Sequence, residues 1–227
     1  MKKDLLDMTI EKLDHRPALL LHACCAPCSS AVLERLSRHF DITLRYFNPN
    51  ISPESEYDKR VEEVKRLLKE MPYESEIQLQ VASYDAAPFE EMAKGLEDLP
   101  EGGARCMKCY EMRLRDAAEA AKAGGYEYFC TTLSISPYKN AGKLNEIGNR
   151  LAQEYGLKYL TSDFKKQNGY LRSIQLSAML HLYRQPYCGC EFSRRAWLKK
   201  EQDRRERGAS LPENSPAADP GTKTGCE

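Results

Sequence analysis

Short apolar runs alternate with amphipathic segments along this chain, and the alternation limits the possible folds more than any other feature of the sequence. Five runs with strand-like composition occupy residues 17–22, 42–47, 76–82, 126–133 and 157–161. Apolar residues recur at helical spacing between them, for example at Tyr57, Val61, Val64 and Leu68. Strands that alternate with helices are typical of a parallel sheet covered on both faces. We therefore predict a three-layer, Rossmann-like α/β fold with a mainly parallel sheet.

The length of the chain suits one domain with an appendage. It has 227 residues, within the range of one large domain. We assign residues 1–207 to a single α/β domain that ends in a C-terminal helical extension. Residues 208–227 contain three prolines and few apolar side chains, so they are predicted to form a disordered tail.

Charge and hydropathy restrict the partners of the chain. Lys and Arg together number 34, as do Asp and Glu, so the formal net charge is zero. A polyanionic partner would therefore have to be bound by a local basic patch. No apolar run approaches the roughly 18 residues of a membrane span. The first residues lack the apolar core of a secretory signal. We therefore expect a cytoplasmic protein that does not bind membranes, in a compartment that keeps thiols reduced.

Seven of the nine cysteines fall in three tight groups, which in a reducing compartment indicates metal ligands or redox groups rather than structural disulfides. The groups are Cys24, Cys25 and Cys28; Cys106 and Cys109; and Cys188 and Cys190. The first group directly follows the first predicted strand, where a nucleotide-binding chain places glycines. No glycine stands there, so the sequence disfavours a phosphate loop at this turn.

Cys24, Cys25, Cys106 and Cys109 are the candidate ligands of one inorganic centre. The last two lie three residues apart at a predicted helix start, on one helix face, where the helix N-terminus favours thiolates. Four thiolates suit either a structural zinc ion or an iron–sulfur cluster. The four supply one CxxC pair and one adjacent pair, a poor match to the two hairpins of structural zinc, so the spacing favours iron–sulfur. Cys25 or Cys28 could instead be a small buried apolar residue.

Two further patterns have more than one interpretation. Cys188-Gly189-Cys190 permits a strained, readily reduced disulfide or two ligands on one metal, but also a solvated turn with incidental thiols. Tyr138, Lys139 and Asp163 follow the fourth and fifth predicted strands, which places them at the rim where the first cysteines lie. Basic side chains that could contact phosphates are Lys165, Lys166, Arg172, Arg194 and Arg195, although the charged segment 194–207 also fits a solvated helix.

Five motifs together resemble the QueH family of epoxyqueuosine reductases. They are LHACCAPCS at 21–29, FNPNISPE at 47–54, RCMKCYEMRL at 105–114, TTLSISPYK at 131–139 and YCGC at 187–190. The resemblance covers roughly residues 19–195 in the family's order, and the joint occurrence of five motifs makes it specific.

The resemblance implies an adenine-nucleotide α-hydrolase-like fold and a [4Fe-4S] cluster. It also implies reduction of the epoxide of epoxyqueuosine to queuosine at the wobble position of tRNA. For that reaction we expect an electron donor protein of the ferredoxin or flavodoxin type. Cys24, Cys25, Cys106 and Cys109 match the family's cluster ligands, and Cys188 and Cys190 match its redox-active pair. The family's further iron beside the cluster makes Cys28, where some relatives carry aspartate, a candidate ligand of that iron.

On this interpretation the remaining candidates receive roles in the reaction. Asp163 or Tyr138 would protonate the departing epoxide oxygen. Lys139, together with the basic residues listed above at 165, 166, 172, 194 and 195, would hold substrate or the tRNA backbone. Two other functions stay open: an iron–sulfur tRNA-thiolating enzyme, disfavoured because the phosphate loop is absent, and a non-catalytic zinc-binding module that docks on RNA or protein. Iron with acid-labile sulfide would favour the reductase, and a single zinc ion per chain would favour the zinc-binding module.

Overall fold

The structure is a computed structural model that describes residues 4–207, so the predicted tail at 208–227 lies outside the described residues. The strands of this part of the chain are β1 (Ala18–His22), β2 (Asp41–Tyr46), β3 (Gln78–Val81), β4 (Tyr128–Thr131) and β5 (Lys158–Tyr159). The helices are α1 (Leu5–Ile10), α2 (Ala26–Leu36), α3 (Glu54–Glu70), α4 (Ala87–Ala93), α5 (Ala104–Ala123), α6 (Ala141–Tyr155), α7 (Gly169–Met179) and α8 (Glu191–Glu206). A 3₁₀ turn follows β4 at Thr132–Ile135.

The five strands form one parallel sheet in the order β3-β2-β1-β4-β5. The central strand β1 pairs with β2 from Ala18↔Asp41 to His22↔Arg45, and with β4 on its other side. Chain order reverses between β1 and β4, and ligands of such sheets bind outside the carboxyl ends of the strands at this point. The predicted α/β fold with a parallel sheet, flanking helices and a C-terminal helix is confirmed. The sheet order therefore favours a ligand site beside the segments that follow β1 and β4.

Side chains of β1 alternate between two apolar cores. Leu19 and Leu21 pack with residues of α2 and α3, whereas Leu20 packs with residues of α5 and α6. Because both faces of this strand are buried, it reads as a continuous apolar run in the sequence. On the face of the sheet that α2 and α3 cover, α7 packs against α2.

The helix α1 precedes the first strand and was not predicted. Asp4 caps it by accepting a hydrogen bond from the Asp7 backbone N at 2.9 Å. The side chain of Leu6, within the helix, is buried in the core. The Asp7 carboxylate pairs with Arg35 of α2. Six residues are too few to show a helical period in the sequence. No helix of residues 4–207 combines the length and the apolarity needed to cross a bilayer.

Replacing Leu20 with alanine should lower the free energy of unfolding by about 2–5 kcal/mol, because the change leaves a cavity at the centre of the sheet. The matched control is Leu171→Ala on α7, where the side chain is 51% exposed, and the expected change is below about 0.5 kcal/mol. Urea unfolding followed by circular dichroism measures both. Equal losses in the two variants would contradict the assigned core.

Candidate metal centre

The first cysteine group lies at the carboxyl end of β1, where the chain turns into α2. Cys25 is the N-cap residue of α2, Cys24 precedes it, and Cys28 lies in the first turn. The Sγ atoms of Cys24 and Cys25 are 3.8 Å apart, and all three Sγ atoms lie within 4.8 Å of one another. Two thiolates on one tetrahedral metal at about 2.3 Å would lie about 3.8 Å apart. The group therefore has the spacing and the chemistry to bind metal.

The second cysteine group lies in the first two turns of α5. The Cys106 Sγ accepts a hydrogen bond from the Gly102 backbone N at 3.3 Å, and the buried Cys109 Sγ contacts Arg113 Nη1 at 3.9 Å. Both line a small cavity together with Cys188 and Cys190. Among residues 4–207, neither belongs to a trio of candidate ligand atoms as close as the first group. The four predicted cluster ligands thus divide between two cavities.

Cys188 lines both cavities, as do Arg113 and Lys139. The turn that carries it is held by Arg60, whose Nη1 donates to the Cys188 carbonyl at 3.0 Å. Gly189 has φ +120°, and a Cβ there would lie 2.8 Å from Arg60 Nη1, so only glycine fits without displacing the turn. Cys188 and Cys190 are free thiols in this structure. The turn is therefore fixed against both other cysteine groups.

Two of the cations at the site, both arginines, are buried. Arg60 and Arg113 are each 1% exposed. Arg113 Nη2 donates to Asn48 Oδ1 at 2.8 Å, and Arg60 Nε donates to Glu56 Oε1 at 2.7 Å. Burial opposes the charge of Lys139, but attraction to the cysteines around it raises the pKa of its ammonium. All three side chains are therefore cationic beside the thiols.

The electrostatics distinguish the three thiols of the first group. Hydrogen bonds with Cys24 and Cys28, followed by the charge of Arg60, lower the pKa of Cys25. Hydrogen bonds with Cys24 and Cys25 raise the pKa of Cys28. These surroundings therefore favour the thiolate form at Cys25 over that at Cys28. Burial and the charge of Arg113 lower the pKa of the nearby His22 to about 3, so its ring is neutral and adds no charge.

Two of the predicted rim residues line the larger cavity, and one does not. Tyr138 is 75% exposed and lines it, and Lys139 lines it from the next position. Asp163 is absent from the residues that line the two cysteine cavities. Its Oδ1 accepts from Lys165 Nζ at 2.9 Å, and the same Nζ donates to the Ser134 carbonyl at 2.9 Å. Lys165 thus pairs with Asp163 within the loop after β5 and links this loop to the 3₁₀ turn after β4.

The other predicted basic residues have different surroundings. Arg172 makes two hydrogen bonds to Glu34, at 2.8 and 2.6 Å, so its charge is compensated. Lys166 is exposed and lines a separate cavity beside α2. Arg194 and Arg195 are exposed on α8. Arg60 and Arg113 were not predicted; the spacing of Arg113 four residues after Cys109 is the one sequence signal that could have found it.

The chain matches the sequence model of a known protein family. The sequence model of the family described as epoxyqueuosine reductase QueH matches residues 19–196. The chain belongs to this family. The proteins named epoxyqueuosine reductase QueH of Staphylococcus epidermidis and Streptococcus pyogenes are 43% and 41% identical to it over 187 and 185 residues. These alignments cover 81% of this chain in both cases, and 79% and 72% of the relatives.

More distant members of the QueH family also align with most of the chain. The protein of that name from Thermotoga maritima is 35% identical over 178 residues, which are 77% of this chain and 89% of the relative. The family membership inferred from five motifs is confirmed. The range 19–196 contains all three cysteine groups and ends inside α8.

Gly189→Ala should displace the turn that carries Cys188 and Cys190 in this QueH-family chain. Its Cβ would meet Arg60 Nη1 at 2.8 Å and Ile51 Cγ1 at 3.0 Å, in addition to the strain of a positive φ. We expect a several-fold faster alkylation of Cys188 by iodoacetamide in the metal-free protein, read by mass spectrometry.

Gly95→Ala is the matched control for this prediction. Gly95 has φ +73° with nothing within 4 Å of an added Cβ, so the change introduces strain of about 1 kcal/mol without a clash. Alkylation of Cys188 should therefore stay at the wild-type rate. Identical alkylation rates for Gly189→Ala and Gly95→Ala would contradict the packing described for the turn.

Proposed function

We propose that this protein reduces the epoxide of epoxyqueuosine in tRNA to the alkene of queuosine, the reaction named for its relatives. The observation that carries the proposal is the meeting of three cysteine groups around Arg113 and Lys139 at the carboxyl end of β1, in a chain of the QueH family. Deoxygenation of an epoxide consumes two electrons and two protons and releases water. A site built from thiols and cations suits such electron transfer. The cytoplasm is the expected location.

A [4Fe-4S] cluster is the proposed cofactor, held by Cys24, Cys25, Cys106 and Cys109. The cavities that hold the two cysteine pairs adjoin, since Cys188, Arg113 and Lys139 line both. The donor atoms there are thiols with buried guanidinium groups beside them, a chemistry that suits such a cluster. Two buried polar atoms next to the cavities, Arg60 Nη2 and Asn50 Oδ1, have no partner within residues 4–207. A guanidinium N–H there can donate to an anionic sulfur centre. Cys28 is proposed as a ligand of an additional iron, supported by its closeness to Cys24 and Cys25.

When bound, such a centre supplies single electrons and a Lewis-acidic iron for the epoxide oxygen. The chain's own groups would supply protons and hold the substrate. Tyr138 is favoured over Asp163 as the proton donor, because Tyr138 lines the larger cavity and Asp163 is paired with Lys165. Cys188 and Cys190 are proposed as a redox pair: on joining in a disulfide, two thiols release two electrons and two protons, which balances the reduction. A protein of the ferredoxin or flavodoxin type would restore the thiols.

The tRNA would reach this site through its anticodon loop, whose unpaired bases are accessible without opening a duplex. Lys139 lines the cavity itself. The basic residues with exposed side chains, Lys166, Arg194 and Arg195, are the better candidates for backbone contacts outside it. Lys165 and Arg172 already hold protein carboxylates, so their contribution to tRNA binding should be smaller.

Cys25→Ala and Cys106→Ala test the cofactor and the reaction together. After anaerobic purification, both variants should lose iron and acid-labile sulfide, and reduction of tRNA that bears epoxyqueuosine should fall below detection because thiolate ligands are lost. Mass spectrometry of the digested tRNA measures the product.

Cys130→Ala supplies the matched control for the cysteine substitutions. This thiol is buried at Leu160 and Ser162, outside both cysteine cavities, so metal and turnover should match the wild type. One zinc ion per chain without sulfide would favour a zinc-binding module instead. Full turnover by Cys106→Ala would refute the proposed ligand set.

A further inference from the structure

One face of α8 forms a wall of the larger cavity. The residues of this wall are Ser193, Ala196, Trp197 and Lys200, which recur at the spacing of one helix face. The helix starts at the cysteine turn, since the Cys190 Sγ accepts a hydrogen bond from the Ser193 backbone N at 3.4 Å. Trp197 is seven residues beyond Cys190, about 10 Å along the helix axis. Trp197 therefore lies about two helical turns from the cysteine turn.

Aromatic rings other than Trp197 also line this cavity. Tyr138, Tyr170 and Tyr187 contribute to its lining, and Tyr138 is largely exposed. The rings of Tyr187 and Trp197 lie 5.9 Å apart at 31°, so the indole is supported on one side. Unpaired nucleobases are bound in proteins by stacking on such rings. The cavity has a volume of about 320 Å³, within the range of small-ligand sites.

The lining of the cavity is strongly cationic although the chain as a whole is neutral. Arg60, Arg113, Lys139, Arg184 and Lys200 line it against a single carboxylate, that of Glu101. Arg60 is paired with Glu56. The other four cations make no salt bridge to any carboxylate of residues 4–207. Arg113 and Lys139 lie beside the cysteines, so Arg184 and Lys200 are the cations of the lining that remain available to a ligand. Flat rings beside these two cations match a ligand with both bases and phosphates, which is a single-stranded nucleic acid loop.

We propose that Trp197 stacks on an unpaired base of the bound RNA loop while Lys200 and Arg184 lie against its phosphates. This inference rests on the proposed function and adds the residues that hold the substrate. A base stacked on Trp197 leaves about 10 Å along α8 for its substituent to extend toward the cysteine turn. The concave, aromatic lining favours RNA over an acidic electron donor protein, the other polyanion that such charge would attract.

The wild-type protein offers a direct test because Trp197 is the single tryptophan of the chain. The metal-loaded, full-length protein is titrated with an anticodon stem–loop RNA while tryptophan fluorescence is recorded. Stacking should quench the emission saturably, and a blunt RNA duplex of equal length should not. Turnover on tRNA bearing epoxyqueuosine is measured on the same preparation.

Substitutions then assign the effect to side chains. Trp197→Ala should weaken binding of the stem–loop about tenfold, measured by fluorescence anisotropy of labelled RNA, and should raise KM more than it lowers kcat. Trp197→Phe should stay within about threefold, since it keeps an aromatic face. Lys200→Glu should weaken binding and reduce its salt dependence, whereas Lys199→Glu, on the neighbouring position outside the cavity lining, should have a smaller effect.

The outcomes separate this inference from the proposed function. Turnover by the wild type without quenching, together with unchanged RNA affinity in Trp197→Ala, would overturn the stacking role and leave the reductase assignment standing. Quenching with RNA but no turnover would support the stacking role and count against the reaction. Quenching by reduced flavodoxin or ferredoxin but not by RNA would overturn the inference and make this wall a docking surface for the donor.

Discussion

Burial of thiols beside cations is the interaction on which the site depends. A thiolate or a metal–thiolate centre is anionic, and burying it is costly unless an opposite charge or hydrogen-bond donors lie close by. Arg60 and Arg113 are both buried, and their guanidinium groups contact the Cys188 carbonyl and the Cys109 sulfur. Lys139 adds a third cation at both cavities. These charges allow cysteines from three remote segments to occupy one region of the fold.

The partners of these arginines also position the backbone around the cysteines. Glu56 accepts hydrogen bonds from Arg60 Nε and from the Tyr183 hydroxyl, which ties α3 to the segment before the cysteine turn. Asn48 accepts from Arg113 and donates to the Ala23 carbonyl at 2.8 Å, directly before Cys24. Side chains that balance the charge of the thiols therefore also set their positions. The cysteine turn, and α8 that starts from it, are placed by the same contacts.

Regular elements of this fold were predictable from the sequence because their burial is periodic. Each of the five predicted strand segments overlaps an observed strand, and the stripe that starts at Tyr57 faces the core from α3. The short element α1 was missed because it is stabilised by the capping residue Asp4 and by the ion pair of Asp7 rather than by a stripe. The fifth strand is only two residues long and pairs with β4 alone at one edge of the sheet.

The sequence by itself determined the chemistry of the site and the class of the fold, because thiol groups and hydrophobic periodicity are properties of residues and their near neighbours. Only the tertiary structure decided which thiols meet: Cys28 joins Cys24 and Cys25, whereas Cys106 and Cys109 line a second cavity reached by Cys188. It also brought in Arg60 from α3 and turned Asp163 toward Lys165. Contacts between segments many residues apart depend on strand order and helix packing, which local patterns do not encode.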